Sequence, residues 1–190
     1  MNKRLFLSII AALSFSLLAA CSAIEDSAGS SAAAPEKVLV FGASGRTGRQ
    51  ILAQLKEQQR NFVGVTSNVE RAQENVGADI AWVQADVRDP ASVQAALVGA
   101  THVISALGAT KFEGDNGPEF VDWQGVRNVV DASLAEGVSH MVLVSSAGVT
   151  DPDHILNKLG NVMVWKLKAE DHLRASGLPY TIVRPGGLLD

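Results

Sequence analysis

The residues with the clearest chemical meaning in this chain are Gly42-Ala43-Ser44-Gly45-Arg46-Thr47-Gly48. They follow the apolar run Val38–Phe41 directly and lead into a helix-like stretch. A glycine triplet alone is weak evidence, but between a strand and a helix it points to a bound diphosphate. Gly42 permits the tight turn off the strand, Gly45 lets the backbone approach a pyrophosphate, and Gly48 lets the helix pack closely. Amides at the helix start, with the positive end of its dipole, then face the phosphates. Ser44, Arg46 and Thr47 add side-chain donors.

An acidic residue at the end of the second strand, about twenty residues on, holds a ribose 2′-hydroxyl in NAD sites. Here that strand ends Val65-Thr66-Ser67-Asn68, with no carboxylate before Glu70. Repulsion toward a 2′-phosphate is therefore absent. Arg46 and Arg71 supply positive charge, and Thr66 and Ser67 offer hydroxyl donors. The expected cofactor is NADP(H) rather than NAD. Asp86, in Ala85-Asp86-Val87, is placed to accept from the adenine amino group, or alternatively to cap a turn.

These residues need elements to hold them. Strand-like runs fall at Val38–Phe41, Phe62–Thr66, Ile80–Gln84, His102–Ala106, His140–Val144 and Tyr180–Val183. Helical stretches lie between them at Thr47–Gln58, Val69–Val76, Pro90–Val98, Glu119–Glu136 and Val162–Ser176. Continuous apolar strands are covered on both faces, and right-handed crossovers through helices give an α/β, doubly wound parallel sheet of the Rossmann type. Gly77, Gly99, Gly137 and Gly177 mark helix ends. Asn116 and Pro118 are expected to open the fourth helix as cap and first-turn proline. Its Phe120, Trp123, Val126, Val130 and Leu134 are expected to face the sheet.

Taken together, the glycine turn, Ala85-Asp86-Val87, Asp122-x-x-Gly125-x-x-Asn128, Val144-Ser145-Ser146-Ala147 and Arg184-Pro185-Gly186-Gly187 resemble the atypical short-chain dehydrogenase/reductases. The similarity is greatest to the NAD(P)H-binding, NmrA-like subgroup, and it runs from Lys37 to Asp190. It implies further cofactor contacts at Val87, Ala106, Pro185 and Gly186. It also implies a catalytic serine, matched by Ser146, and a lysine, matched by Lys166 and followed four residues later by Glu170. The family's catalytic tyrosine position is Val162, which transfers no proton. Tyr180, the one tyrosine in the chain, opens a strand expected to be buried. Proton supply then falls to water, the substrate, His154 or Lys158. Two functions follow from the resemblance. One is an NADPH-dependent reductase of a small carbonyl, quinone or flavin. The other is a membrane-tethered, non-catalytic NADP-binding sensor or assembly factor that acts through a protein partner. Members of the family also continue past Arg-Pro-Gly into a substrate-covering lobe, whereas this sequence stops at Asp190. The expected domain is therefore C-terminally truncated, with an open substrate pocket and an exposed sheet edge.

The first thirty-six residues read as an address and a tether. Lys3 and Arg4 precede the sixteen-residue apolar or small stretch Leu5–Ala20. As a helix it would span roughly 24 Å, short of a bilayer core of about 30 Å. This is the pattern of a secretory signal over residues 1–20. Leu18-Ala19-Ala20-Cys21-Ser22 resembles the lipobox of bacterial lipoproteins, in which the cysteine is lipidated. The remainder to Glu36 is Ser- and Ala-rich and reads as a flexible linker. A lipid anchor at Cys21 places the chain in a bacterial cell envelope, which conflicts with a cytosolic supply of NADPH.

Composition removes other classes. The net charge of −4 lacks the basic stripe of a nucleic-acid binder. One cysteine cannot form an intrachain disulfide or a cysteine zinc site. The four histidines show no metal-ligand spacing.

Overall fold

The computed structural model describes residues 35–187. The signal stretch, Cys21 and nearly all of the expected tether lie outside those residues. In chain order the elements are β1 (Val38–Phe41), α1 (Arg46–Glu57), β2 (Phe62–Thr66), α2 (Val69–Asn75), β3 (Trp82–Gln84), α3 (Pro90–Ala96) and β4 (His102–Ser105). A 3-10 turn (Gly114–Asn116) and a π-helical segment (Glu119–Gly125) lead into α4 (Val126–Glu136). Next come β5 (His140–Val144), a second 3-10 turn (Ile155–Lys158), α5 (Val162–Ala175) and β6 (Tyr180–Val183).

All six strands run parallel in the order β3-β2-β1-β4-β5-β6. The order reverses between β1 and β4, and a doubly wound sheet binds ligands beyond the strand ends at that switch point. Phe41 pairs with both Val65 and Ser105, so the central strands finish level and form one rim. Alternation along β1 feeds two core layers. Leu39 and Phe41 join Val93, Val129 and Leu173 from α3, α4 and α5. Val38 and Val40 pack with Leu52 of α1.

Three expectations need correction. Tyr180, expected in a buried strand, is 39% exposed and Val183 44%, with β6 last in the strand order among the described residues. Asn116 is no helix cap; it belongs to the preceding 3-10 turn, and the Gly117 carbonyl receives the amides of Phe120 and Val121 instead. Leu134 does not face the sheet. It is 49% exposed, while its neighbour Ser133 is fully buried.

The physical reason for the last is the π-helical segment. A π turn takes up about one residue more than an α turn, so the buried stripe shifts phase. Asp122, Gly125, Val126, Val129 and Ser133 turn inward. Trp123 is only partly buried, packed against the core with Lys168 and Arg127 over its ring face.

Candidate functional site

The glycine turn sits at the mouth of the switch point and is built as the sequence requires. Gly42 adopts φ +73°, and a Cβ there would lie 2.6 Å from the Ala106 carbonyl oxygen. A Cβ on Gly48 would lie 2.7 Å from the Cα of Ala43. Neither position admits a side chain, and this is how α1 is brought against β1 and β4. The residue ahead of α1 is Gly45, which offers no side chain to cap the helix, and the first turn holds no acidic residue. Helix-start amides have no intrahelical carbonyl partner, so such an end is suited to an anion.

A cleft of about 190 Å³ runs from this turn along the ends of β1 to β4. Gly42, Ser44, Thr66, Asp86 and Val87 line it, together with Ser67, Arg88, Leu107, Gly108 and Thr110. Ser44 and Thr66 are linked through their hydroxyls at 3.3 Å, tying the turn to the end of β2. Arg71, expected as a phosphate cation, is not among the residues that line the cleft. It is exposed in the first turn of α2, and its backbone amide donates to the cap residue Asn68 at 2.8 Å. The cation that sequence reasoning missed is Arg88. Its Nε donates to Asp86 Oδ1 at 2.9 Å and its Nη1 to the Asp115 carbonyl at 3.2 Å. Hydrogen bonds from Arg88 hold the Asp86 carboxyl below its usual value. Asp86 is thus both a cleft residue and a turn residue, and Arg88 joins it to the 3-10 turn.

The other half of the rim holds the expected catalytic pair. Ser146 is half-buried just past β5, and its hydroxyl donates to the Ala147 carbonyl at 3.2 Å. Lys166 on α5 is largely enclosed. Its Nζ lies 2.7 Å from Asp122 Oδ1, an ion pair not aligned as a hydrogen bond, and 3.5 Å from the Leu107 carbonyl. The second oxygen of Asp122 accepts from the Ala109 amide at 2.9 Å. Asp122 is the second residue that sequence reasoning missed. The π segment turns it inward, and its spacing to Gly125 and Asn128 was the available signal. Asn128 in turn donates to the Val87 carbonyl at 2.9 Å.

Val162 opens α5. The His154 ring lies against Gly148, so that a Cβ on Gly148 would be 2.7 Å from Cδ2 of the ring. This brings His154 to the loop that carries Ser146. Lys158 is exposed on the second 3-10 turn. Pro185 and Gly186 follow β6, where the Pro185 carbonyl accepts from the Ala147 amide at 2.8 Å. Among the described residues no group of three or more His, Cys, Asp or Glu could hold a metal, and no helix is long and apolar enough to cross a membrane.

Comparison with known proteins agrees with this geometry. Residues 42–190 match the family described as NAD(P)H-binding. An uncharacterized chloroplastic protein of Arabidopsis thaliana, At2g37660, is 41% identical over 177 residues, covering 82% of this chain and 54% of that protein. Sanguinarine reductase of Eschscholzia californica is 36% identical over 189 residues, covering 80% of this chain and 69% of the reductase. Among solved structures, the anaerobillin reductase ChuY of Escherichia coli O157:H7 superposes with a TM-score of 0.67 at 30% identity, covering 80% of this chain and 74% of that one. The chain therefore spans about half to three-quarters of the length of these relatives.

Proposed function

Since this chain belongs to the NAD(P)H-binding family, we propose that it is an NADPH-dependent reductase of the atypical short-chain dehydrogenase/reductase type. The proposed substrate is a small conjugated acceptor, a quinone, flavin or activated carbonyl. Relatives named as reductases of sanguinarine and of an anaerobillin support an extended conjugated acceptor over a simple carbonyl. The observation that carries the reading is the side-chain-free approach of Gly42 and Gly48 at a switch-point cleft. It fits a diphosphate lying across the rim.

Bound NADPH would supply the hydride. The chain's own residues would do the rest. Gly42 to Gly48 would hold the diphosphate through backbone amides, with Ser44, Arg46 and Thr47 adding side chains. Thr66, Ser67 and Arg46 would favour a 2′-phosphate, because no carboxylate ends β2 to repel it. Lys166, held by Asp122, would orient the ribose on the nicotinamide side. His154 and Ser146 would hand a proton to the reduced acceptor in place of a tyrosine.

The test is a titration of purified protein with NADPH and NADH, followed by NADPH oxidation across a panel of quinones, flavins, iminium compounds and carbonyls. The expected result is at least roughly tenfold tighter binding of NADPH, about 1.4 kcal/mol, and turnover of conjugated acceptors. Equal affinities would overturn the cofactor preference. Saturable NADPH binding without turnover of any acceptor would overturn the reductase reading.

A further inference from the structure

Glu170 sits one helical turn beyond Lys166 on α5 and has no exposed surface, yet no step above uses it. Its Oε1 accepts from Arg184 Nε at 2.9 Å, and its Oε2 accepts from Nη2 of both Arg184 and Arg174 at 2.5 Å. Arg184 follows β6 directly and precedes Pro185-Gly186. Backbone bonds flank it on both sides. The Ser145 amide donates to the Val183 carbonyl and the Ala147 amide to the Pro185 carbonyl, each at 2.8 Å. The Glu170–Arg184 fork is thus tied to the segment that closes the rim beside Ser146.

Burying such a pair is weak support for stability, because desolvation offsets most of the attraction. What a two-point Arg–carboxylate fork does supply is orientation. We propose that Glu170 is a positioning residue that, by gripping Arg184, fixes the backbone at Pro185–Gly186 as the wall against the nicotinamide end of the cofactor. This rests on the dinucleotide reading above. Arg174 provides an internal contrast. It shares the same carboxylate but also pairs with the exposed Asp171, so that its partners lie within α5 itself.

The experiment is calorimetric titration of the full chain in mild detergent with two probes. One is NADPH, and the other is 2′-phospho-ADP-ribose, which lacks only the nicotinamide. Glu170→Gln and Arg184→Met are expected to weaken NADPH binding by about tenfold while leaving the fragment's affinity unchanged. Arg184→Lys, which cannot form the fork, should not restore NADPH binding, and Arg174→Met should alter neither ligand. Unchanged NADPH affinity in Arg184→Met, an equal loss for both probes, or an equal effect of Arg174→Met would overturn the proposal. Should Glu170→Gln fail to fold, the Arg184→Met and Arg174→Met comparison decides alone. A wild-type protein that binds neither probe would overturn the dinucleotide reading itself, and this inference with it.

Discussion

At the scale of single residues, two contacts set what the site can do. Gly48 lies so close to the Ala43 backbone that Gly48→Ala forces α1 away from β1. Overpacking of this kind costs about 1–3 kcal/mol. Urea unfolding should show that loss, and NADPH titration should show weaker binding alongside it. Asp122 and Lys166 form the second contact, with side chains 1% and 17% exposed. Asp122→Asn leaves an ammonium group without its counter-charge, and breaking a buried pair costs about 3–5 kcal/mol. Its expected signature is reduced stability with a fall in kcat larger than any change in NADPH affinity. Unaltered kcat in a folded Asp122→Asn protein would remove Lys166 from the proposed machinery.

At the scale of elements, the π segment decides which side of the α4 region meets the sheet. Ser133 is fully buried, and its hydroxyl has no hydrogen-bond partner among the described residues. Ser133→Ala should therefore be neutral or stabilising by about 1 kcal/mol. Leu134→Ser should change stability by no more than about 0.5 kcal/mol, as for an exposed position. A straight α-helix would reverse the two results. The α5–β6 connection makes a pH prediction. Burial pushes the Glu170 carboxyl up, but hydrogen bonds from Arg184 and Arg174 outweigh it and hold the group below its ordinary value of 4.5. A depressed carboxylate contributes stability that is complete above 4.5 and is lost as pH falls through the lower folded value. Thermal melts of wild type should drop on acidification below that point, and those of Glu170→Gln should drop less steeply.

At the scale of the whole molecule, the cofactor and the fold are one thermodynamic system. A ligand that binds only the folded chain stabilises it by about 2.7 kcal/mol at one hundred times its Kd. NADPH should raise the melting temperature in a concentration-dependent way, and more than NADH does at equal concentration. Absence of any shift at millimolar NADPH would contradict dinucleotide binding outright. The assignment of Cys21 as a lipid attachment site is a proposal from sequence alone. In a bacterial host, a labelled fatty acid should mark the wild-type chain and not Cys21→Ser.

The sequence alone was enough for the parallel α/β plan and the glycine turn. Both rest on local signals: β-branched runs, glycines at fixed offsets, and a strand leading straight into a helix. Four of the six strands have the expected bounds, and β3 and β4 are only shortened at one end. The absence of a carboxylate directly after Thr66, on which the expected cofactor preference rests, is also a local property. Tertiary structure decided what depends on phase and on neighbours far along the chain. Asp122 could not be chosen over Trp123 from a 3.6-residue period, because the π turn that exchanges them gives no signal in that period. Arg88 joins the cleft wall because the ends of β2 and β3 converge there only after the strands pair. Glu170 and Arg184 are fourteen residues apart, and only the α5-to-β6 crossover folds them into one fork.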